Sequence, residues 1–148
     1  MSSMTDGFET ALATLLFNNT DITNIGDASG LVGSSTAGST QLSLATVAYN
    51  DADADMTADE CSYTGYTRPT QARSGSGWTI SSDTASNAAL IQFGEMSAGG
   101  PETAVHLGLG FISTGDVLRL HQDLDADLVI NDGVNPQFAI GALTWTFA

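Results

Sequence analysis

The 148-residue sequence places few ionisable, metal-ligating or nucleophilic side chains in an order that suggests chemistry. The densest group is Asp51-Ala-Asp53-Ala-Asp55, followed by Asp59 and Glu60. Alternating carboxylates invite calcium, whose EF-hand loop needs glycine at its sixth position and glutamate at its twelfth. Met56 and Ser62 stand there instead, so the EF-hand reading fails. A looser calcium site on Asp51, Asp53 and Asp55 is the lesser reading, and a solvated acidic loop between strands is the greater. Asp123, Asp125 and Asp127 repeat the spacing with Leu124, Ala126 and Leu128 between them, which is the pattern of a strand with one wet face.

Other catalytic patterns are thin. His106 and His121 are the two histidines, and neither has a partner at zinc-ligand spacing in the sequence. The Gly-x-Ser-x-Gly nucleophile elbow is absent, and Ser74-Gly75-Ser76-Gly77 reads as a turn. With no lysine, no phosphate loop can end in one. Cys61 is single, which excludes an intrachain disulfide and reads as a buried structural thiol. Tyr49, Tyr63, Tyr66, Trp78 and Trp145 could line a sugar face, but strand aromatics more often build a core. No cofactor is implied, and the chain reads as a non-enzyme.

Composition narrows the partners. The formal charge is −14, with Arg68, Arg73 and Arg119 as the only cationic residues apart from histidine. Phosphate backbones and anionic membranes both select for cations, so nucleic acid and membrane are excluded as partners. Hydrophobic residues make up 42% of the chain, enough for a folded core despite the charge. The start lacks a basic segment and a long apolar run, and no window is long enough to cross a bilayer. Synthesis in a host cytoplasm is the expectation.

The elements that must position these residues follow from periodicity. Phe8, Leu12, Leu15 and Leu16 form a helical stripe over residues 6–18, with Asp6 as the expected N-cap and Glu9 completing a capping box. Residues 19–40 are rich in Gly, Ser, Thr, Asn and Asp and read as a flexible loop, or as an arm that orders on a partner. From residue 41 the signal is β. Strands are expected from Gln41 to about Tyr49, over Ser62–Arg68, at Trp78–Ile80 and over Ala88–Phe93. Val105, Leu107, Leu109 and Phe111 alternate most cleanly, and a strand around Val117–Gln122 follows. Short strands at Asp127–Ile130, Gln137–Ile140 and Leu143–Phe147 complete the set. Turns fall at Gly99-Gly100-Pro101, Thr114-Gly115-Asp116 and Asp132-Gly133. One mostly β domain is predicted over 1–148, an antiparallel sandwich or small jelly-roll-like barrel behind one N-terminal α-helix.

The order of segments resembles a family of short phage virion proteins known as tail fibre or head decoration proteins. The residues that carry the resemblance begin with Phe8-Glu9-Thr-Ala-Leu12, Leu42-Ser-Leu44, Tyr66-Thr-Arg68 and Trp78-Thr79. They continue with Leu90-Ile-Gln-Phe93, Thr103-Ala-Val-His106-Leu-Gly108 and Gly115-Asp116. Asp132-Gly133, Phe138 and Gly141-Ala-Leu-Thr-Trp145 close the set. The Gly/Ser stretch at 26–40 and the acidic run at 51–60 depart from the pattern. The resemblance implies a structural virion role and carries over no catalytic residue.

The leading expectation is a capsid decoration, or cement, protein on the outer shell that ties neighbouring major capsid proteins together. It would act as a homo-oligomer, a trimer or dimer, with the capsid surface favoured over the tail. A tail, tail-fibre or baseplate component is the alternative, and a carbohydrate- or calcium-binding β module a further one. Contacts to partners are expected from the helix stripe Phe8, Leu12, Leu15 and Leu16, and from Ile22, Ile25, Leu31 and Val32 in the following stretch.

Overall fold

A computed structural model describes residues 4–23, 25, 30–112 and 115–147. Part of the expected arm (residues 24 and 26–29) and Thr114 of the expected turn lie outside the described residues. The chain forms two compact units, each assembled from separated stretches: residues 1–38, 71–91 and 138–148 make unit 1, and 39–70 and 92–137 make unit 2.

Unit 1 opens with helix α1 (Asp6–Asn18), the span that the spacing predicts. Its N-cap is Thr5 rather than Asp6, and no side chain closes a capping box. The Thr5 carbonyl already accepts from Phe8 N and Glu9 N, which puts Asp6 inside the first turn with its carboxylate at the positive end of the helix. The helix ends at Asn19, which takes the left-handed conformation (φ 56°) and donates its N–H back to Leu15. Its buried face is Glu9, Ala13 and Phe17, at i, i+4 and i+8, while the predicted stripe of Phe8, Leu12, Leu15 and Leu16 flanks that face half-buried.

The helix packs on an antiparallel sheet of β3 (Trp78–Ser81), β4 (Thr84–Asn87) and β9 (Thr144–Thr146). Phe17 meets the fully buried Trp78 edge to face at 4.6 Å. Asn87 is buried but fully used: its amide N donates to Ala89 and Ala139 carbonyls, and its side-chain oxygen accepts from Leu143 N. Arg73 finishes the helix from outside, donating to the carbonyls of Leu15 (2.9 Å), Leu16 (2.8 Å) and Ala37 (3.0 Å). A cation at the negative helix end adds a charged donor to the last-turn carbonyls.

Unit 2 is built on β1 (Ser39–Ala45), β6 (Glu102–Phe111) and β7 (Leu120–Ile130), which pair antiparallel in that order. The short β2 (Thr70–Ala72), which begins at the last residue of the 39–70 stretch, is the fourth strand of the sheet order. Two further short strands, β5 (Ile91–Gln92) and β8 (Gln137–Phe138), pair with each other where the chain passes again. The fold is mostly β with one N-terminal helix, as predicted. The barrel alternative is corrected: the four-strand sheet stops at β7 and the three sheets stay separate, so no closed barrel forms among the described residues.

Several strand assignments change for identifiable reasons. Ser62–Arg68 is not a strand, because the Glu102 carboxylate takes the N–H groups of Ser62 and Tyr63 and Gly65 turns the chain at φ +99°. β4 forms from Thr-Ala-Ser-Asn, a run with no β signal of its own, because β3 and β9 pair with it on either side. The two strands expected around 117–122 and 127–130 are one, since Asp123, Asp125 and Asp127 carry the period-two pattern through the gap. β6 is covered on both faces from His106 to Gly110, with a bulge between Ala104 and His106.

Candidate functional site

The strongest concentration of chemistry lies in unit 2, where β6 and β7 meet the loop after β1. The register sets His106 opposite Asp123 and Gly108 opposite His121, so the His106, His121 and Asp123 side chains share one face of the sheet. His106 Nδ1 lies 2.8 Å from the Asp123 carboxylate, and His106 Nε2 lies 3.1 Å from His121 Nδ1. His121 Nε2 reaches Asp51 at 3.3 Å. Four groups that are 72 positions apart at the extreme thus form one line, Asp123–His106–His121–Asp51. The His106 side chain is 5% exposed and that of His121 25%, whereas both carboxylates stand in solvent.

Tyr49 holds the loop over this line. Its ring stands edge to face against both imidazoles, at 5.7 Å from His106 and 6.4 Å from His121. Its hydroxyl donates to the Met56 carbonyl at 2.7 Å and meets Ser43 Oγ at 3.2 Å. Burial pushes the phenol up to about 12. Tyr49, Met56, Ala45 and Leu118 form a buried apolar cluster, and backbone bonds from Met56 N to Asp116 O and from Leu118 N to Ala54 O close the loop onto the segment before β7. Gly108 makes room for it: a Cβ there would lie 2.5 Å from Ser43 Oγ and 2.9 Å from the Tyr49 ring. Beside the line, Asn50, Asp51, Asp53, Leu118, Arg119 and His121 bound a shallow recess of about 190 Å³.

The acidic loop uses its carboxylates locally. Asp53 accepts from Asn50 N and its amide, and Asp55 accepts from Thr57 N and hydroxyl. Those bonds hold the Asp55 carboxyl below the usual range. Asp51, Asp53 and Asp55 therefore point to three different tasks. Among the described residues no group of three or more His, Cys, Asp or Glu side chains is placed to hold a metal ion. A separate recess of about 330 Å³ in unit 1 is lined by Asp6, Gly7, Glu9, Thr10, Ser82 and Asp83 at the start of the helix.

A second polar cluster braces the same loop. Glu60 takes a two-pronged contact from Arg68, 2.6 Å at each prong, and also accepts from the Tyr66 hydroxyl at 2.6 Å. Arg68 reaches Asp116 with its remaining nitrogen at 2.5 Å, and the Tyr66 oxygen accepts from Leu44 N. The carboxylates raise the Arg68 pKa, and burial with the Glu60 charge raises that of Tyr66. Cys61 is buried between them, its thiol pushed up to about 12 by burial and by the charges of Glu102 and Glu60. It stays a neutral thiol at physiological pH, unsuited to nucleophilic attack.

The residues expected to touch partners are spread over unit 1. Ile22 is buried and bridges Leu31, which is itself exposed, while Val32 is 60% exposed and Ile25 is half-buried. Asn19 and Asp21 side chains hold Ser34 and Gly33, so the described parts of the 19–40 stretch fold back on the end of the helix. The histidine line was invisible in the sequence, because fifteen positions separate His106 from His121 and only the antiparallel register brings them together. Alternation in both strands placed each histidine on a face, and correct pairing of the two strands was the missing step.

One family matches the chain over residues 3–146, almost its full length: Podophage GP4 fiber I protein gp80. The chain belongs to this family. No curated protein matches it. Membership in the gp80 fibre family sets the chain among phage virion structural proteins, in keeping with the resemblance found in the sequence. The histidine line, the Glu60–Arg68 brace and the buried thiol are features that a structural subunit can use for rigidity.

Proposed function

We propose that the chain is a non-enzymatic structural component of a phage fibre, working through contacts with its own copies and with adjoining virion subunits. The observation that carries this reading is the match to the gp80 fibre family over residues 3–146. The surface supports contact over catalysis. Exposed apolar side chains sit at Leu31, Val32, Leu90 and Ile140 in unit 1 and at Val47, Ile112 and Val129 in unit 2. Single exposed apolar residues are ordinary on any protein, but Leu31 and Val32 are adjacent and fall on the segment expected to meet a partner.

Self-association favours some edges over others. β7 ends its sheet and presents Asp123, Asp125 and Asp127, all exposed. Two β7 edges brought together would oppose like charges, so this edge resists pairing with a second copy. Contacts between copies therefore run through the apolar positions elsewhere. A shell location, where the chain would tie neighbouring major capsid proteins, is the second reading. It is favoured by the −14 charge without lysine, which suits an outward face away from packaged DNA.

Cryo-electron microscopy of virions carrying this protein tests both readings. Density for the chain in a fibre or its attachment supports the fibre reading, and density spread over the shell lattice overturns it for the decoration reading. Particles that assemble and adsorb normally without the chain would count against both.

A further inference from the structure

We infer that the Asp123–His106–His121–Asp51 line holds one proton more than two neutral imidazoles carry, and that this proton clasps the 50–55 loop onto the β6–β7 hairpin. The argument is a count of protons. An ionised carboxylate can only accept, so Asp123 requires a hydrogen on His106 Nδ1, and Asp51 requires one on His121 Nε2. A neutral imidazole has one N–H. The facing atoms, His106 Nε2 and His121 Nδ1, would then be two bare lone pairs 3.1 Å apart. A third proton turns that repulsion into a hydrogen bond and leaves a singly charged histidine pair between two carboxylates.

The geometry distinguishes a proton from a metal ion. The ring centres are 5.3 Å apart and the facing nitrogens 3.1 Å, so the rings' own radii account for nearly all of the difference. Those nitrogens therefore lie almost on the line joining the rings. Their lone pairs aim at each other, as in a hydrogen bond, instead of converging on a third point as two ligands of one ion would.

The charged and titratable groups that face the pair are Asp51 and Asp53 from the loop, Asp123 from β7, and Arg119 in the shared recess. The Tyr49 phenol packs on both rings with its hydroxyl committed to Met56 and Ser43. When the proton leaves, one of the three links must break. The weakest is the outer one, from His121 to the fully exposed Asp51 at 3.3 Å. His121 then carries its hydrogen on Nδ1, donates to His106, and turns a bare Nε2 toward Asp51. The loop is released on the Asp51 side while the buried His106 keeps both partners. Because the clasped state holds the additional proton, its contribution is present on the acidic side of that proton's loss and disappears when the proton leaves.

Long-range ¹H–¹⁵N spectra of both imidazoles in the intact chain, recorded as the pH is raised, test this directly. The expected result is the loss of one proton from the pair in a single step that both rings report, ending with both hydrogens on Nδ1. Amide protection factors over residues 50–55 should fall about two- to five-fold through the same step, the scale of one exposed ion pair. Asp51→Asn places an amide there that can accept from a protonated His121 Nε2 or donate to a bare one, so it should abolish the pH dependence of that protection without altering the near-ultraviolet circular dichroism. Two histidines that titrate independently would overturn the inference. So would His121 keeping its hydrogen on Nε2 above the step, or loop protection that changes with pH equally in Asp51→Asn.

Discussion

Replacing Arg68 by Met should cost unit 2 about 3 kcal/mol, most of it through Glu60. Glu60 and Arg68 side chains are 13% and 15% exposed, and Glu60 takes both prongs of the guanidinium at 2.6 Å. Removing the cation leaves a largely buried carboxylate with the Tyr66 hydroxyl as its remaining side-chain donor. Breaking one side of a buried pair costs about 3–5 kcal/mol, and residual water access puts this site at the low end. The Asp116 arm is different. Its carboxylate is 62% exposed, so Asp116→Ala should cost under about 1 kcal/mol although its contact to Arg68 is just as short. In the double variant Glu60→Leu/Arg68→Met no charge is stranded, and the loss should not exceed that of either single change. The coupling is then about 2–3 kcal/mol, with an unpaired Tyr66 O–H accounting for about 1 kcal/mol of what remains. Urea unfolding provides the assay, with a built-in separation of the two units. Both tryptophans, Trp78 and Trp145, belong to unit 1, and Tyr49, Tyr63 and Tyr66 belong to unit 2. Tyrosine circular dichroism should therefore register the loss first. Equal costs for Arg68→Met and Asp116→Ala, or additive losses in the double variant, would refute the reasoning.

Three further outcomes follow from the same geometry. Gly108→Ala should destabilise unit 2 by about 1–3 kcal/mol in denaturant titration, because its methyl group would meet Ser43, Leu118 and the Tyr49 ring within 2.9 Å. Arg73→Ala should cost about 2 kcal/mol and speed amide exchange in the last turn of the helix, since it strips three carbonyls of a charged donor. Tyr49 and Tyr63 are both raised to about 12 by burial, so the folded chain holds protons that an unfolded one releases near pH 10. The tyrosine contribution to stability should be steady below that point and fall as pH climbs from about 10 to 12, with tyrosinate absorbance rising late and together with unfolding.

Much of the fold was legible because local periodicity carries it. The helix over residues 6–18 and the strand around Leu42 and Leu44 needed no tertiary information. The long Val105–Phe111 alternation was equally clear, since apolar spacing in each matches one secondary structure and no other. Where local signals and long-range partners disagreed, the partners prevailed. Ser62–Arg68 has the pattern of a strand, yet Glu102 captures its amides from 40 positions away. Thr84–Asn87 lacks that pattern and is a strand because two neighbours pair with it. The helix shows the same limit at finer scale. Leu12 and Leu16 carry the predicted stripe, but Ala13 and Phe17 are the buried positions, and Phe17 meets Trp78 edge to face.

By itself the sequence determined the class and the company: a mostly β chain with one helix, strongly acidic, without lysine, and ordered like short phage virion proteins. These are properties of composition and of near neighbours, so they survive without coordinates. The histidine line, the loop closed by Tyr49 and the brace of Glu60 on Arg68 were decided by the tertiary structure alone. Each joins groups that the chain keeps far apart, and only the antiparallel register of β6 with β7 and the folding of the 46–60 loop bring them within hydrogen-bonding reach. Asp51 shows the difference best. In the sequence it is one carboxylate of an acidic run, and in the fold it is the outer end of a proton-holding line because His121 lies 3.3 Å away.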